Sequence, residues 1–248
     1  MIVYFSATGN CKYVAQRIAE AVGDSAISIE NQEPGLTLNP DETLGIITPT
    51  YWWELPPIMR DWLKRLTVTG CTYSYLVATY GTTPGCCGED VRRILKKRGI
   101  NLSASFSIKM PDTWTPIFDL SDPERVARQN EAAETYIDNV IRRIKARETG
   151  NHTEHRVPYA ARLFTDTLLN IERKTKNLHV EDNCIGCGLC AKKCPVQAIE
   201  IQNKKPVWVK AQCTLCLRCL HHCPKFAIQY GNKKTKQHGQ YRNPHVKV

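Results

Sequence analysis

Eight of the cysteines fall into two matching runs, 29 residues apart, and this constrains the chain more than any other feature. The first run is Cys184-x2-Cys187-x2-Cys190-x3-Cys194-Pro195; the second is Cys213-x2-Cys216-x2-Cys219-x3-Cys223-Pro224. Three thiolates at this spacing sit on one tight curl and face one cubane iron–sulfur cluster, while the cysteine before proline ligates the cluster of the other run. The expected ligand sets are Cys184, Cys187, Cys190 and Cys223 for one [4Fe–4S] cluster, and Cys213, Cys216, Cys219 and Cys194 for the second. Zinc also uses C-x2-C pairs, but it needs four ligands in two pairs and has no use for a third cysteine followed by x3-Cys-Pro, twice over. Disulfides between cysteines this close would be mostly strained. The duplication extends past the ligands, with Val180 matching Val209 and Ala198-Ile199 matching Ala227-Ile228. Two such halves predict a pseudo-twofold module, each half giving a short hairpin and a short helix.

The other end of the chain reads differently. Residues 1–5 are apolar, β-branched and aromatic, as in a buried strand. Ser6-Ala7-Thr8-Gly9-Asn10-Cys11 follows, then a helical pattern through Val14, Ile18, Ala19 and Val22. A strand, a hydroxyl-rich turn and a helix start bring backbone N–H groups and a positive dipole end together, which makes an anion site. It lacks the Gly-Lys-Ser/Thr of a Walker loop and is not G-x-G-x-x-G. The alternative is an ordinary helix cap. This loop resembles the first loop of flavodoxins, which binds the phosphate of FMN, and departs from it at Cys11, where a hydroxyl is usual.

Two further segments fit that resemblance. The strand at 43–48 runs into Pro49-Thr50-Tyr51-Trp52-Trp53-Glu54, and the strand at 73–79 runs into Tyr80-Gly81-Thr82-Thr83-Pro84-Gly85. In the flavodoxin pattern these loops flank the isoalloxazine ring, at the carboxyl ends of adjacent parallel strands. A neutral flavin needs stacking faces and backbone donors. The resemblance therefore assigns Ser6, Thr8, Gly9, Asn10 and Cys11 to the phosphate. Pro49, Thr50, Tyr51, Trp52 and Trp53 go to one ring face, and Thr79, Tyr80, Gly81 and Gly85 to the other. The competing reading has Trp52 and Trp53 covering a domain interface; the two readings are compatible if each tryptophan takes one role.

The expected fold is α/β: a doubly wound, five-stranded parallel sheet of order 2-1-3-4-5, followed by a small α+β ferredoxin domain. Strands are expected near 1–5, 26–30, 43–48, 73–79 and 103–110, with helices near 10–22, 57–67 and 88–98. Residues 31–42, with Pro34, Gly35 and Pro40, are too short a crossover for the usual helix. Ser121-Asp122-Pro123-Glu124 reads as a capping box opening a helix to about Arg147. The segment 158–176 reads as an amphipathic helix joining the two parts. The domains expected are 1–150 (flavodoxin-like), 151–176 (helical linker), 177–231 (two-cluster ferredoxin) and 232–248 (a basic tail, mobile or laid on the surface).

The 34 Lys and Arg against 24 Asp and Glu give a net charge of +10. No acidic residue follows Glu200, and ten basic ones do, Arg218 among them. Part of that excess offsets negative clusters and phosphate; the rest is either a solvated tail or a docking face for an acidic redox protein. No nucleic-acid reader motif accompanies the charge. No leader is expected before the first strand, and no apolar stretch spans a membrane. Cluster thiolates point to a reducing compartment, the cytoplasm. Cys11, Cys71, Cys86 and Cys87 read as small buried residues. His221 and His222 read as solvated side chains beside a cluster, and Glu54 and Asp112 as loop hydrogen-bonders, with contact to a flavin or substrate as the alternative. No hydrolase or metalloprotease motif, and no second nucleotide fingerprint, is present.

Taken whole, the chain resembles flavodoxin–ferredoxin fusions. That resemblance implies electron transfer through two [4Fe–4S] clusters and FMN, exchanging one-electron and two-electron carriers, with redox proteins as partners. Two other classes stay open: a flavin-dependent reductase of a small molecule fed by its own ferredoxin half, and an iron–sulfur structural or sensor protein with an empty flavodoxin-like domain.

Overall fold

The computed structural model describes residues 1–39, 42–154, 157–231 and 234–248. Pro40, Asn232 and Lys233, used in the sequence reading, lie outside the described residues. The first part runs β1 (Ile2–Tyr4), α1 (Asn10–Val22), β2 (Ala26–Ser28), β3 (Gly35–Thr37), β4 (Thr43–Pro49), α2 (Pro57–Arg65), β5 (Thr67–Thr69), β6 (Tyr73–Tyr80), α3 (Cys87–Lys97), β7 (Ala104–Lys109), α4 (Pro123–Lys145) and β8 (Gly150–Asn151). The main sheet has the order β2-β1-β4-β6-β7-β8 and is parallel throughout. Its first five strands follow the expected 2-1-3-4-5; β8 adds a two-residue sixth at the edge.

Both faces of the sheet are covered, so the central strands β4 and β6 are mostly apolar and buried along nearly their whole length. Val14 and Ile18 of α1 and Ile137, Val140 and Ile144 of α4 fill one face. Met59 and Leu63 of α2 and Val91 and Leu95 of α3 fill the other. Among the described residues no crossover helix separates β2 from β4. Instead β3 pairs with β5 in a separate two-stranded parallel ribbon. Helix α4 starts one residue later than the capping box implies: the Asp122 carboxylate accepts from the N–H groups of Glu124 and Arg125 at 3.0 and 3.1 Å, while Ser121 bonds Asp119.

The chain continues through α5 (Arg162–Glu172), β9 (Leu178–Val180), α6 (Leu189–Lys192), β10 (Ile199–Gln202), β11 (Lys205–Trp208), α7 (Arg218–His221), β12 (Ile228–Tyr230) and α8 (Thr235–His238). Helix α5 buries its apolar face only in part: Leu169 sits in the core of the cysteine-rich module, whereas Leu163 and Phe164 are 85% and 65% exposed. Polar ties hold its first turns. Thr165 donates to the buried Glu54 carboxylate, which also pairs with Arg60 at 2.7 Å, and Arg162 pairs with the buried Asp90 at 2.8 Å.

The cysteine-rich module has the expected pair of short helices, but its strands are shared between the halves. Strand β10 pairs with β11, and β9 with β12, both antiparallel. Each small sheet therefore takes one strand from each half. The two sheets are related with a one-residue offset: Val209 N–H donates to Ala198 O at 3.0 Å, and Glu181 N–H, one residue past the matching Val180, donates to Ala227 O at 2.8 Å.

Candidate functional site

Strands β1, β4, β6 and β7 end on the same side of the sheet, and the loops they release surround a cavity of ≈ 330 Å³. This is the carboxyl-end crevice where doubly wound folds bind ligands. Ser6, Thr8, Asn10 and Cys11 line it from the β1–α1 loop, with Pro49 through Trp53 from the second loop and Thr79, Tyr80 and Gly81 from the third. Of the residues assigned from sequence, Gly9 and Gly85 are not on the lining. Gly9 turns the chain into α1 at φ 109°, a conformation suited to glycine, with its N–H donated to Ser6 Oγ at 3.2 Å. Cys11 Sγ lies 3.1 Å from Thr79 Oγ1. Burial pushes this thiol up to about 12, so it stays neutral and does not repel an anion in the loop.

The tryptophan loop is a strained tight turn. Tyr51 and Glu54 exchange both backbone hydrogen bonds, at 2.9 and 3.0 Å. Trp52 and Trp53 occupy the two positions between them, at φ 49° and 65°. Such turns favour Asn and Gly, and a large side chain in this region costs roughly 1–2 kcal/mol, so the turn is held by its surroundings. Gly85 is part of that hold. Its φ is +59°, a Cβ there would overlap the Trp53 carbonyl oxygen, and the next N–H, of Cys86, donates to that oxygen at 2.8 Å. Gly85 thus positions Trp53 rather than lining the cavity. Trp52 has both roles weighed from sequence: it lines the cavity and packs on the core of the cysteine-rich module.

Two walls were not visible in the sequence. After β7, residues 110–114 with Ile117 and Phe118 close one side. Asp112 accepts from Trp114 N–H at 3.0 Å, and burial raises its pKa above the ordinary carboxylate value. Its carboxylate occupies the space a Cβ on Gly81 would take. The other wall comes from the cysteine-rich module itself: Leu215, Cys216 and Leu217 line the same cavity, the two leucines at φ 59° and 52°. Trp114 joins the walls, edge-on to Trp52 at 6.3 Å and to Tyr230 at 4.9 Å.

The lining fits a flat ligand with acceptor atoms. Thr50 Oγ1 and the indole N–H groups of Trp52 and Trp114 are buried without a partner, although buried polar atoms ordinarily have one. Those groups, the aromatic faces and the N–H groups at the start of α1 are what a flavin mononucleotide would engage.

The cysteines group across the two runs. Cys184, Cys187, Cys190 and Cys223 line one small apolar cavity. Cys194 lies near enough to Cys213, Cys216 and Cys219 to help raise the pKa of all three thiols, behind burial as the main cause. Backbone N–H groups point at the sulfurs in matching fashion: Ala198 N–H to Cys194 Sγ and Ala227 N–H to Cys223 Sγ, each 3.2 Å. Such bonds stabilise thiolates and tune cluster potentials.

Three expectations about polar residues need correction. His221 and His222 are buried, not solvated: their Nε2 atoms lie 2.9 and 3.1 Å from the carbonyl oxygens of Thr113 and Ala7, across the domain boundary. Arg218, counted from sequence with the basic surface, is buried between the domains. It pairs with both Glu30 oxygens at 2.7 Å and donates to the carbonyls of Ser6 and Lys193 at 2.7 and 3.0 Å. The described part of the polar tail, 234–248, is anchored: Tyr241 and Asn243 are 4% and 2% exposed. Their polar atoms find partners on the first loop, so polarity alone was no guide to burial.

A family profile described as "Flavodoxin domain" matches residues 1–129, and one described as "4Fe-4S dicluster domain" matches residues 169–230. No curated protein matches the chain. Among solved structures, a "putative flavoprotein" from Bacteroides uniformis is 19% identical, covering 44% of this chain and 88% of its own, with a TM-score of 0.35. A rubredoxin oxygen:oxidoreductase from Desulfovibrio gigas is 14% identical, covering 59% of this chain and 36% of its own, with a TM-score of 0.36. Likeness at that level carries no argument about function. The flavodoxin match spans more than half of the chain, and the dicluster match follows it on the module that holds all eight paired cysteines. The chain belongs to the flavodoxin family and is a flavodoxin–ferredoxin fusion.

Proposed function

We propose that the protein transfers electrons through two [4Fe–4S] clusters and a bound FMN, exchanging one-electron with two-electron carriers. When bound, the clusters supply single-electron exchange and the flavin accepts one or two electrons. Support comes from one observation above all: Leu215, Cys216 and Leu217, from the loop that would carry a cluster ligand, line the cavity of the flavodoxin domain. Cys213, Cys216, Cys219 and Cys194 would hold the cluster on that side; Cys184, Cys187, Cys190 and Cys223 would hold the outer one. Ser6, Thr8 and the start of α1 would bind the phosphate, with Trp52 and Trp53 stacked on the ring and the Thr50 hydroxyl and the Trp114 indole donating to it. Aromatic and leucine side chains keep water from the contact between the two redox sites. The partners in this reading are redox proteins, acidic ones being favoured by the basic surface, in a reducing compartment such as the cytoplasm.

Anaerobic purification with iron, sulfide and FMN quantitation tests this. About eight irons and one releasable FMN per chain are expected. Zinc in place of iron, or clusters without any flavin uptake, would refute it.

A further inference from the structure

Beyond α8 the chain crosses back from the ferredoxin module and packs against the first loop of the flavodoxin domain. Its start is fixed to the cluster side. The Gln240 amide donates to the carbonyls of Leu220 and Cys223 at 2.6 and 2.9 Å, and the Tyr241 N–H to His221 Nδ1 at 3.1 Å. Its continuation is fixed to the loop. The Tyr241 hydroxyl lies 2.8 Å from Oδ1 of both Asn10 and Asn130. Asn243 donates its N–H to Thr8 O at 2.8 Å and its side-chain amide to Asn10 Oδ1 at 3.1 Å. Further on, His245 stacks on Tyr13 at 4.7 Å, and Lys12 donates to Lys247 O at 2.6 Å.

This strap supports the loop from behind. Among the described residues none of it lines the cavity, yet a Cβ on Gly9 would come within 2.7 Å of Asn243 Cβ. A phosphate loop binds through N–H groups that must point in fixed directions, and ordering a residue's backbone costs about 1–2 kcal/mol. A support that orders the loop beforehand removes part of that cost from binding.

We propose that Tyr241 and Asn243 are positioning residues for the flavin phosphate: by gripping Asn10 and Thr8 from behind, a strap belonging to the ferredoxin side sets the affinity of the flavodoxin domain for FMN. This rests on the reading of the cavity as an FMN site. Because coupling is reciprocal, bound FMN also tightens the strap.

The test uses the full chain with its clusters, stripped of flavin and titrated with FMN by fluorescence quenching. Tyr241→Phe and Asn243→Ala are each expected to raise Kd about fivefold, from the loss of roughly 1 kcal/mol per hydrogen bond. FMN should also slow trypsin cleavage after the exposed Arg242 and Lys247 in the wild type, but much less in the double variant. Should the double variant lose its clusters, His245→Ala removes only the outer stack, and a faster FMN release from it supports the inference. Equal Kd values and equal protection in wild type and variants overturn it while leaving the FMN reading intact. A wild-type chain that takes up no FMN overturns both.

Discussion

Replacing Arg218 by methionine should loosen the two domains by a measurable amount. The side chain is 8% exposed and makes two 2.7 Å bonds to Glu30, together with bonds to the carbonyls of Ser6 and Lys193. Charge-assisted bonds contribute about 1.5–3 kcal/mol each, but four on one guanidinium are not additive. Unpairing a buried ion costs about 3–5 kcal/mol. Glu30 keeps 24% of its side chain in water, so the loss should sit near the lower end, about 3 kcal/mol. With a urea slope of about 3 kcal/mol/M, the midpoint falls by about 1 M. The assay is anaerobic urea unfolding of the holoprotein, followed in parallel by flavin fluorescence and cluster absorbance. Removing both charges in Glu30→Gln/Arg218→Met should restore most of the loss, since no ion is then left unpaired. Arg218→Lys keeps the charge but lacks the planar fork that reaches three partners at once, so it should fall between. A double variant as unstable as Arg218→Met, or a loss below about 1 kcal/mol, would refute the reasoning.

Other consequences are as open to measurement. Cys194→Ala should remove the cluster facing the flavin cavity and Cys223→Ala the outer one, each halving the iron content; the perturbation of the flavin spectrum should follow Cys194, and the reverse assignment would defeat the crossed ligation. Gly85→Ala places a side chain at φ +59° that overlaps the Trp53 carbonyl; FMN affinity should drop about tenfold, by more than 1 kcal/mol, with altered tryptophan emission. In flavin-free protein, Asp112 has a folded pKa raised by burial. The folded state then holds its proton more tightly than the unfolded state does. Its contribution is most favourable at low pH and erodes as pH climbs from the ordinary carboxylate value through the raised one. Asp112→Asn keeps the acceptor for Trp114 N–H, should melt higher than wild type at pH 7, and should lack that slope. A pH profile of Tm unchanged by the substitution would reject the assignment.

What could be read from the sequence was whatever a local pattern determines. Cysteine spacing encodes cluster ligation within eleven residues, and the alternation of apolar strands with amphipathic helices encodes a parallel sheet. The Ser6–Cys11 loop and the two aromatic loops sit at strand ends, so the topology brought them to one crevice. The missing walls have no local signature. Leu215 and Leu217 are unremarked spacers between cysteines, and become walls only when the two domains meet. The loop after β7 contributes Trp114 through a fold-dependent position, not a motif. His221, His222, Arg218, Tyr241 and Asn243 looked solvated because polar residues usually are; here each finds its partner on the opposite domain, between 108 and 233 residues away along the chain where the bonds are longest in sequence. Leu163 and Phe164 show the converse: they belong to an apolar stripe of which Leu169 is buried while these two stay exposed.

The Leu215-Cys216-Leu217 wall changes the kinetics available to such a protein. Free carriers must find one another by diffusion, so their exchange slows with dilution and responds to ionic strength. Here the inner contact is built once, when the chain folds. On the function proposed above, delivery across it would be a first-order event, indifferent to concentration and salt, and closed to a competing carrier. Only the outer handover would then remain a collision, and only there would the surroundings choose who supplies the electrons.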